Sequence, residues 1–296
     1  MRIHQYKTNS LSAKKKSRFY LKLLVLTVFL IIFAVGVLYL IIFSQIFRIS
    51  RVSISGVKEV KPDAIAKIAQ EILDGKILNK IPKDNPILLP GQQITQSILD
   101  NFPKIKGVTL TEKIKEHILV INVSEREPAA IWCRVLPLSS PAVSSSTQET
   151  FQVPDQINLP SPENCFFIDK DGFIFSKAPI LSGGAVPTVY EEGTQELNIK
   201  GIVSNPKSLE FILAAKKELA KVNLNLTDFV IKSQSVGDLE ILTPEGWFIY
   251  LDITHPADIQ INALKRVLQE EIKENRSRLE YIDLRVPNRA YYKLKN

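Results

Sequence analysis

Few side chains in this sequence have the types and spacing that catalysis or metal binding requires. The three histidines, His4, His117 and His255, are far apart in the chain, and no two have the spacing of a metal-ligand pair. Cys133 and Cys165 could act as nucleophiles only beside a base, and no neighbouring motif supplies one. The sequence also lacks phosphate-loop, dinucleotide-binding and serine-hydrolase signatures. It therefore predicts no catalytic, metal or cofactor site, no small-molecule substrate, and a protein that is not an enzyme.

Two pairs of residues leave a chemical alternative open. Asp169 and Asp171 could perform general acid–base catalysis, but they belong to an Asp-Lys-Asp-Gly segment that is typical of a tight turn. Trp132 and Trp247 could stack on a sugar of a cell-wall polymer, whereas aromatic residues inside strand-like runs usually belong to a core. The alternative class is therefore a membrane-tethered cell-wall hydrolase or a glycan-binding protein.

Positive charge is concentrated at the amino terminus. Residues 1–22 hold seven of the 38 basic residues and no acid, so the rest of the chain carries 31 basic and 31 acidic residues. Nucleic-acid binding needs a basic surface on the folded domain, and a neutral body does not provide one. The charge pattern therefore predicts that nucleic acid is not a partner.

An apolar segment follows the basic tail. Residues 23–43 form a run of 21 residues without a charge. As a helix, this run spans roughly 31 Å, about the hydrocarbon thickness of a bilayer. A cleavable signal peptide has a shorter apolar core and a small-residue cleavage site, so we expect an uncleaved transmembrane helix. The basic flank predicts a cytoplasmic amino terminus and an extracytoplasmic remainder, and the tail acts either as a topology signal or as a lipid or partner docking site.

Residues 47–126 have the pattern of a small α+β module. A period-two strand that ends at Gly56 is followed by two amphipathic helices, one opened by Pro62 and one that stops before Pro103. Two further alternating strands complete the order β-α-α-β-β. Two helices between the first and second strands can cover one face of a three-stranded sheet.

A Ser/Pro-rich segment interrupts the second part of the chain, residues 127–296. Residues 136–164 have the composition of a flexible loop, and the two cysteines of the chain, Cys133 and Cys165, flank it. If the flanking runs are the arms of one hairpin, these cysteines meet at the base of the loop and can form a disulfide outside the cytoplasm. Two unbonded thiols are the alternative.

The carboxyl-terminal end is the surface predicted to bind a partner. Alternation in residues 279–286 predicts a half-buried strand, and Pro287 cannot donate a ladder hydrogen bond, so the segment that follows is expected near a sheet edge. A free edge can accept a strand from another protein. The alternative is an edge blunted by Arg289, Lys293 and Lys295, and the sequence leaves both open.

The order of several short strings resembles the FtsQ/DivIB family of bacterial cell-division proteins over about residues 14–295. The more specific strings are Glu-Arg-Glu-Pro-Ala-Ala-Ile-Trp at 125–132 and Ile-Asp-Leu-Arg at 282–285. The supporting strings are residues 47–56, 102–105 and 167–172. The chain departs from the family in a longer Ser/Pro-rich loop and in Val286 and Arg289, where an aromatic residue and a glycine are common.

The resemblance implies an α+β protein with a transmembrane helix, a POTRA domain at 47–126 and a mixed β-sheet domain with helices at 127–296. It implies a non-catalytic, single-pass scaffold at the division septum in the inner membrane, where the partners are FtsB/FtsL-type coiled-coil proteins and the septal wall synthase complex. The segment that receives a partner strand would include Val286, Asn288, Ala290, Tyr291 and Tyr292. A POTRA-like module also suggests an outer-membrane assembly factor, but the residues that remain are too few for a barrel.

Overall fold

The computed structural model describes residues 11–44, 48–77, 81–135, 164–179, 185–203, 206–232 and 237–295. The predicted flexible loop at 136–164 and the first ten residues therefore lie outside the described residues, apart from Asn164. The chain is an α+β protein that divides into two compact units. The first contains residues 1–102 and 107–124, and the second contains residues 103–106 and 125–296.

The first element in the described residues is a long helix, α1 (Leu11–Phe43). Its apolar part, Tyr20–Phe43, has 24 residues and is long and apolar enough to cross a membrane by length and composition. Most of the large apolar side chains along it are exposed. An exposed apolar surface of this extent is stable only when lipid or another apolar surface covers it.

The rest of the first unit combines a three-stranded sheet with two helices. Its main elements follow the order β-α-α-β-β, with a short strand pair between the helices. The bounds are β1 (Arg51–Ser55), α2 (Pro62–Leu73), β2 (Lys76–Ile77), β3 (Ile81–Pro82), α3 (Gly91–Asn101), β4 (Ile105–Lys113) and β5 (Ile118–Glu125). The sheet order is β1-β5-β4, and β1 runs parallel to β5.

Apolar periodicity explains how the two helices pack. Ile65 and Ala69 of α2 and Ile94 and Ile98 of α3 are all fully buried. The buried stripe of α2 ends at Leu73 and leaves the neighbouring Ile72 half-buried. Gly56 follows β1 with a φ of 83°, a conformation that favours glycine, and an added Cβ would collide with the carbonyl oxygen of Val123.

The second unit is built on one nine-stranded mixed sheet. Its strands follow the spatial order β14-β13-β12-β11-β10-β9-β6-β7-β8. The strand bounds are β6 (Ala130–Val135), β7 (Cys165–Ile168), β8 (Ile174–Lys177), β9 (Thr188–Glu192), β10 (Asp228–Ile231), β11 (Asp238–Leu242), β12 (Phe248–Asp252), β13 (Leu279–Asp283) and β14 (Tyr291–Leu294). The last strand in the chain therefore forms one edge of the sheet.

Two helices contribute apolar side chains to the main core of this unit. These are α4 (Pro206–Lys221) and α5 (Ala257–Arg266). Their buried side chains and those of the sheet form one cluster that includes both tryptophans. The segment after α5 continues as a π turn at Val267–Ile272 and a 3-10 helix at Lys273–Arg278. Lys273, where the two meet, adopts a φ of 50°, which interrupts the regular helix.

The two cysteines lie opposite each other on neighbouring strands. β6 and β7 are antiparallel, and their register pairs Cys133 with Cys165. Both residues are fully buried, their Cα atoms are 4.1 Å apart, and their sulfur atoms are bonded. The disulfide therefore closes the base of the long connection between β6 and β7.

Candidate functional site

The two acids that were considered for catalysis have structural partners. Asp169 is almost fully buried, and its Oδ1 accepts hydrogen bonds from the backbone N–H groups of Asp171 and Phe173. Its Oδ2 accepts a hydrogen bond from the guanidinium of Arg126. Asp171 is exposed and pairs with Lys106 at 2.6 Å, and the hydrogen bond from Lys106 lowers the pKa of Asp171. This geometry is that of a turn stabilised by its own side chains.

The tryptophans and histidines of the described residues also have structural environments. Trp132 and Trp247 are fully buried, and their indole N–H groups donate to Glu191 and Glu245. A buried ring cannot present its face to a sugar. His255 contacts Asp252 at 2.8 Å. Within the ranges that the structure describes, no three His, Cys, Asp or Glu residues group as metal ligands would.

The feature that remains is the sheet edge formed by β14. β14 pairs with β13 in antiparallel register, with Asp283 opposite Tyr291 and Ile282 opposite Tyr292. The backbone N–H of Lys295 donates to the carbonyl of Arg278 at 2.6 Å, so it points toward β13. Because adjacent residues of a strand point their N–H and C=O groups to opposite sides, those of Tyr292 and Leu294 point away from the sheet. β14 therefore presents main-chain groups that another strand can pair with.

The opposite edge of the same sheet is different. There, the N–H of Ile174 in β8 donates to the carbonyl of Gly201 at 2.9 Å, and the N–H of Lys200 donates to the carbonyl of Ile174 at 2.8 Å. A segment of the same chain therefore pairs with the start of β8, at Ile174. Across the described residues, no backbone group of this chain donates to or accepts from the outward side of Tyr292 or Leu294. Among the described residues, β14 is therefore an edge whose outward main-chain groups at Tyr292 and Leu294 are not paired with backbone of this chain.

The basic residues that could blunt this edge contact groups of their own chain. Lys293 forms a salt bridge with Glu280 at 2.9 Å, and this hydrogen bond raises the pKa of Lys293. Lys295 Nζ donates to the carbonyl of Gly246 at 3.3 Å. The Arg289 guanidinium donates to the Tyr291 hydroxyl, also at 3.3 Å. Of the two sequence interpretations, a blunted edge and a binding edge, this arrangement favours the second.

Aromatic rings continue from β14 across one face of the sheet. The rings of Phe248 and Tyr250 lie 6.1 Å apart, and Tyr250 lies 5.7 Å from Tyr281 on the neighbouring strand. Tyr291, in β14, has 46% of its surface exposed. A strand added beside β14 would bring alternate side chains next to Tyr291 on this face.

An ion-pair cluster holds the chain just before the edge. The Arg285 side chain donates twice to Asp283, at 2.9 and 2.7 Å, and once to Asp238 at 2.7 Å. These hydrogen bonds raise the pKa of Arg285, and those to Asp283 make the largest contribution. Burial acts to raise the pKa of Asp283, but the hydrogen bonds from Arg285 outweigh burial and hold that pKa below its usual value. The cluster fixes the direction in which the chain leaves β13.

A groove of about 580 Å³ lies beside this exit. One wall comes from α5 and the residues after it, and the other comes from the connection between β13 and β14. Its apolar lining includes Ile259 and Val286, and three arginines, Arg266, Arg285 and Arg289, also line it. The groove can therefore accommodate an apolar segment that carries an acidic residue.

The five residues predicted to contact a partner divide into two groups. Tyr291 and Tyr292 lie on β14, where both are exposed. Val286, Asn288 and Ala290 lie in the connection before it and line the groove. Asn288 adopts a φ of 61°, which turns the chain back toward β13.

Sequence reasoning missed the residues that other elements bring to this site. Ile259 and Arg266 belong to α5, and Ile259 remains 59% exposed although apolar residues dominate the buried face of the helix. An apolar residue off the buried helical stripe is the signal that could have identified Ile259. Tyr250 and Tyr281 join the site only because β12 and β13 are neighbours in the sheet.

No protein-family model matches the chain, and no curated protein sequence matches it.

Proposed function

We propose that this chain is a single-pass membrane scaffold of the bacterial division machinery, of the FtsQ/DivIB type, that acts by binding other proteins. In this proposal α1 spans the inner membrane with its basic end in the cytoplasm, and the part of the chain after α1 lies outside the cytoplasm at the division septum. The part of the first unit that follows α1 is a POTRA domain. The partners are FtsB/FtsL-type coiled-coil proteins, through which the scaffold contacts the septal wall synthase complex.

The free edge at β14 is the observation that carries the proposal. It combines outward main-chain groups at Tyr292 and Leu294 with an exposed tyrosine at 291. A partner strand that pairs there gains main-chain hydrogen bonds, and alternate side chains give specificity. The groove lined by Ile259 and Arg266 would hold the partner segment next to the added strand.

The order and type of the elements support the rest of the proposal. An apolar helix that can span a membrane precedes a β-α-α-β-β unit, and a large mixed sheet with helices follows. The Arg126 and Arg285 side chains, which belong to the two specific family-like strings, both form ion pairs that stabilise the second unit. These strings therefore coincide with structurally important positions in this fold.

The test compares two substitutions at one position of the edge. Tyr292→Pro removes the N–H that points away from the sheet and leaves the hydrogen bonds between β14 and β13 in place. An edge strand tolerates a proline at such an outward position. Tyr292→Thr is the matched control, because it removes the same ring and keeps the N–H. Each variant of the full chain is purified from detergent-solubilised native membranes, and co-purifying proteins are identified by mass spectrometry.

We expect the native chain and Tyr292→Thr to retain small single-pass coiled-coil proteins and septal wall synthases, and Tyr292→Pro to lose them. The lost hydrogen bond and the displacement of the partner strand by the proline ring together weaken binding by about 1 to 3 kcal/mol, which is roughly a fivefold to 150-fold loss of affinity. Retention of the same partners by Tyr292→Pro would refute the edge assignment. If the native chain retains no division protein, the proposed function itself is wrong.

A further inference from the structure

The end of α1 is bonded to a loop of the first unit. Asn85 is fully buried, and its Nδ2 donates to the carbonyl oxygens of Ile41 at 2.8 Å and Ile42 at 3.2 Å. The last carbonyls of a helix have no partner within the helix, so a side-chain donor that reaches them is a cap. The Asn85 side chain also accepts the N–H of Ile87 at 3.0 Å, which shapes the loop around the cap.

A second loop is held near the same place. The N–H of Ile49, shortly after α1, donates to the carbonyl of Asp84 at 2.8 Å. His117 Nδ1 lies 3.1 Å from the carbonyl oxygen of Arg48, and the N–H of Ser50 donates to the carbonyl of His117 at 2.9 Å. The loop at 84–89 and the turn at 113–117 are therefore both bonded to the chain that leaves α1. These two segments are called the exit loops below.

Each exit loop exposes an isoleucine at its tip. Ile87 is 70% exposed and Ile114 is 50% exposed. Lys113 and Lys115 flank Ile114 and are exposed, as are Glu112 and Glu116, and Lys113 pairs with Glu116 at 3.6 Å. A single exposed isoleucine is ordinary, but two on loops bonded to one end of an apolar helix form an apolar surface that continues from that end.

The length of α1 sets the depth of the exit loops. The 24 residues of Tyr20–Phe43 span about 36 Å as a helix, somewhat more than the roughly 30 Å hydrocarbon core of a bilayer. Ile41 and Ile42 therefore lie at or near the boundary between hydrocarbon and headgroups. Asn85 is within hydrogen-bond distance of their carbonyls, and Ile87 is only two residues away.

We propose that the exit loops rest on the leaflet from which α1 emerges, with the side chains of Ile87 and Ile114 in the interface and Lys115 near the lipid phosphates. The occupant of this surface is lipid because the loops are continuous with the end of the apolar helix. The first unit is then docked to the membrane surface by its own loops, in addition to its covalent link. This inference rests on the proposed membrane span of α1.

The test places an environment-sensitive nitrobenzoxadiazole probe at single introduced cysteines of the full chain. The natural cysteines are joined in a disulfide and do not react without reductant. The exit loops carry the probe in Ile87→Cys and Ile114→Cys. Val35→Cys, in the exposed apolar surface of α1, reports the membrane span. Lys61→Cys is the control, because the exposed Lys61 follows β1, whose five residues lead about 17 Å away from its start.

Each labelled chain is reconstituted at one copy per lipid nanodisc, so that no second protein can cover the loops. The discs contain lipids with a nitroxide quencher either near the headgroup or deep in the acyl chain. We expect quenching at Ile87 and Ile114 by the shallow nitroxide to exceed that at Lys61 several-fold. We expect Val35 to be quenched most strongly by the deep nitroxide.

The outcomes separate this inference from the one it rests on. If Val35 is quenched by the deep nitroxide but Ile87 and Ile114 behave like Lys61, the exit loops face water or another protein and the inference is overturned. Quenching at Ile87 without quenching at Ile114 also overturns the two-loop surface. If Val35 itself is not quenched, the membrane span fails and the inference fails with it.

Discussion

Reduction of the Cys133–Cys165 disulfide is expected to destabilise the second unit strongly. The bonded cysteines are 32 residues apart in sequence. Closing a loop of this length lowers the conformational entropy of the unfolded chain by an amount worth about 3.7 kcal/mol at 25 °C in the chain-entropy description. For a unit of this size, such a loss lowers the melting temperature by about 7 to 15 °C.

The two tryptophans make the measurement specific to this unit. Trp132 and Trp247 are both fully buried in the second unit, and the chain contains no other tryptophan. Their fluorescence during urea denaturation therefore follows this unit rather than the first unit or α1. Urea denaturation of the native chain is measured with and without reductant. The free thiols keep the shape of the core, so the difference between the two curves reports the effect of the bond alone.

The double variant Cys133→Ala/Cys165→Ala is the second comparison. It should be at least as unstable as the reduced chain, because both side chains are fully buried and their removal leaves small cavities. Equal denaturation midpoints for oxidised and reduced native chain would refute the reasoning. The denaturation midpoint of the double variant should not change when reductant is added, because this variant has no disulfide to reduce. A further shift on adding reductant would therefore also refute the reasoning.

Two further predictions concern ion pairs of the second unit. Arg126→Ala should lower the unfolding free energy by about 3 kcal/mol, because the nearly buried Asp169 loses its guanidinium partner; tryptophan-monitored denaturation measures this loss. The pKa of Asp283 is held below its usual 3.8, so its ionised form stabilises the fold above about pH 4, and this stabilisation is lost as the pH falls through the folded pKa. Asp283→Asn should therefore be less stable at pH 7 and lose less stability on acidification.

Each of these predictions has its own control. Arg126→Lys keeps a cation near Asp169 and should recover part of the stability, whereas a loss equal to that of the alanine variant would show that guanidinium geometry matters more than charge. For Asp283, melting curves are compared between pH 7 and pH 3. Parallel curves for the native chain and Asp283→Asn would contradict the assignment of the pKa to the Arg285 hydrogen bonds.

The sequence by itself determined the local elements of this protein. Charge-free residues at 23–43 predicted the apolar helix, and period-two alternation predicted a strand in residues 279–286, of which the structure contains Leu279–Asp283 as a strand. The Asp-Gly turn at 171–172 was also predictable, and Gly172 adopts a φ of 76°. These features depend on preferences of neighbouring residues, which a linear pattern records directly.

Only the tertiary structure decided which strands are neighbours and which edge is free. β9 pairs in parallel with both β6 and β10, and β12 pairs in parallel with β13, so distant parts of the chain determine the order of the sheet. That order leaves β14 at one edge and places Gly201 over β8 at the other. It also brings Ile259 of α5 to the same groove as Val286. Alternation of apolar and polar residues specifies which face of a strand is buried. Which strands lie next to each other depends on how the whole core is buried, and no local pattern encodes that arrangement.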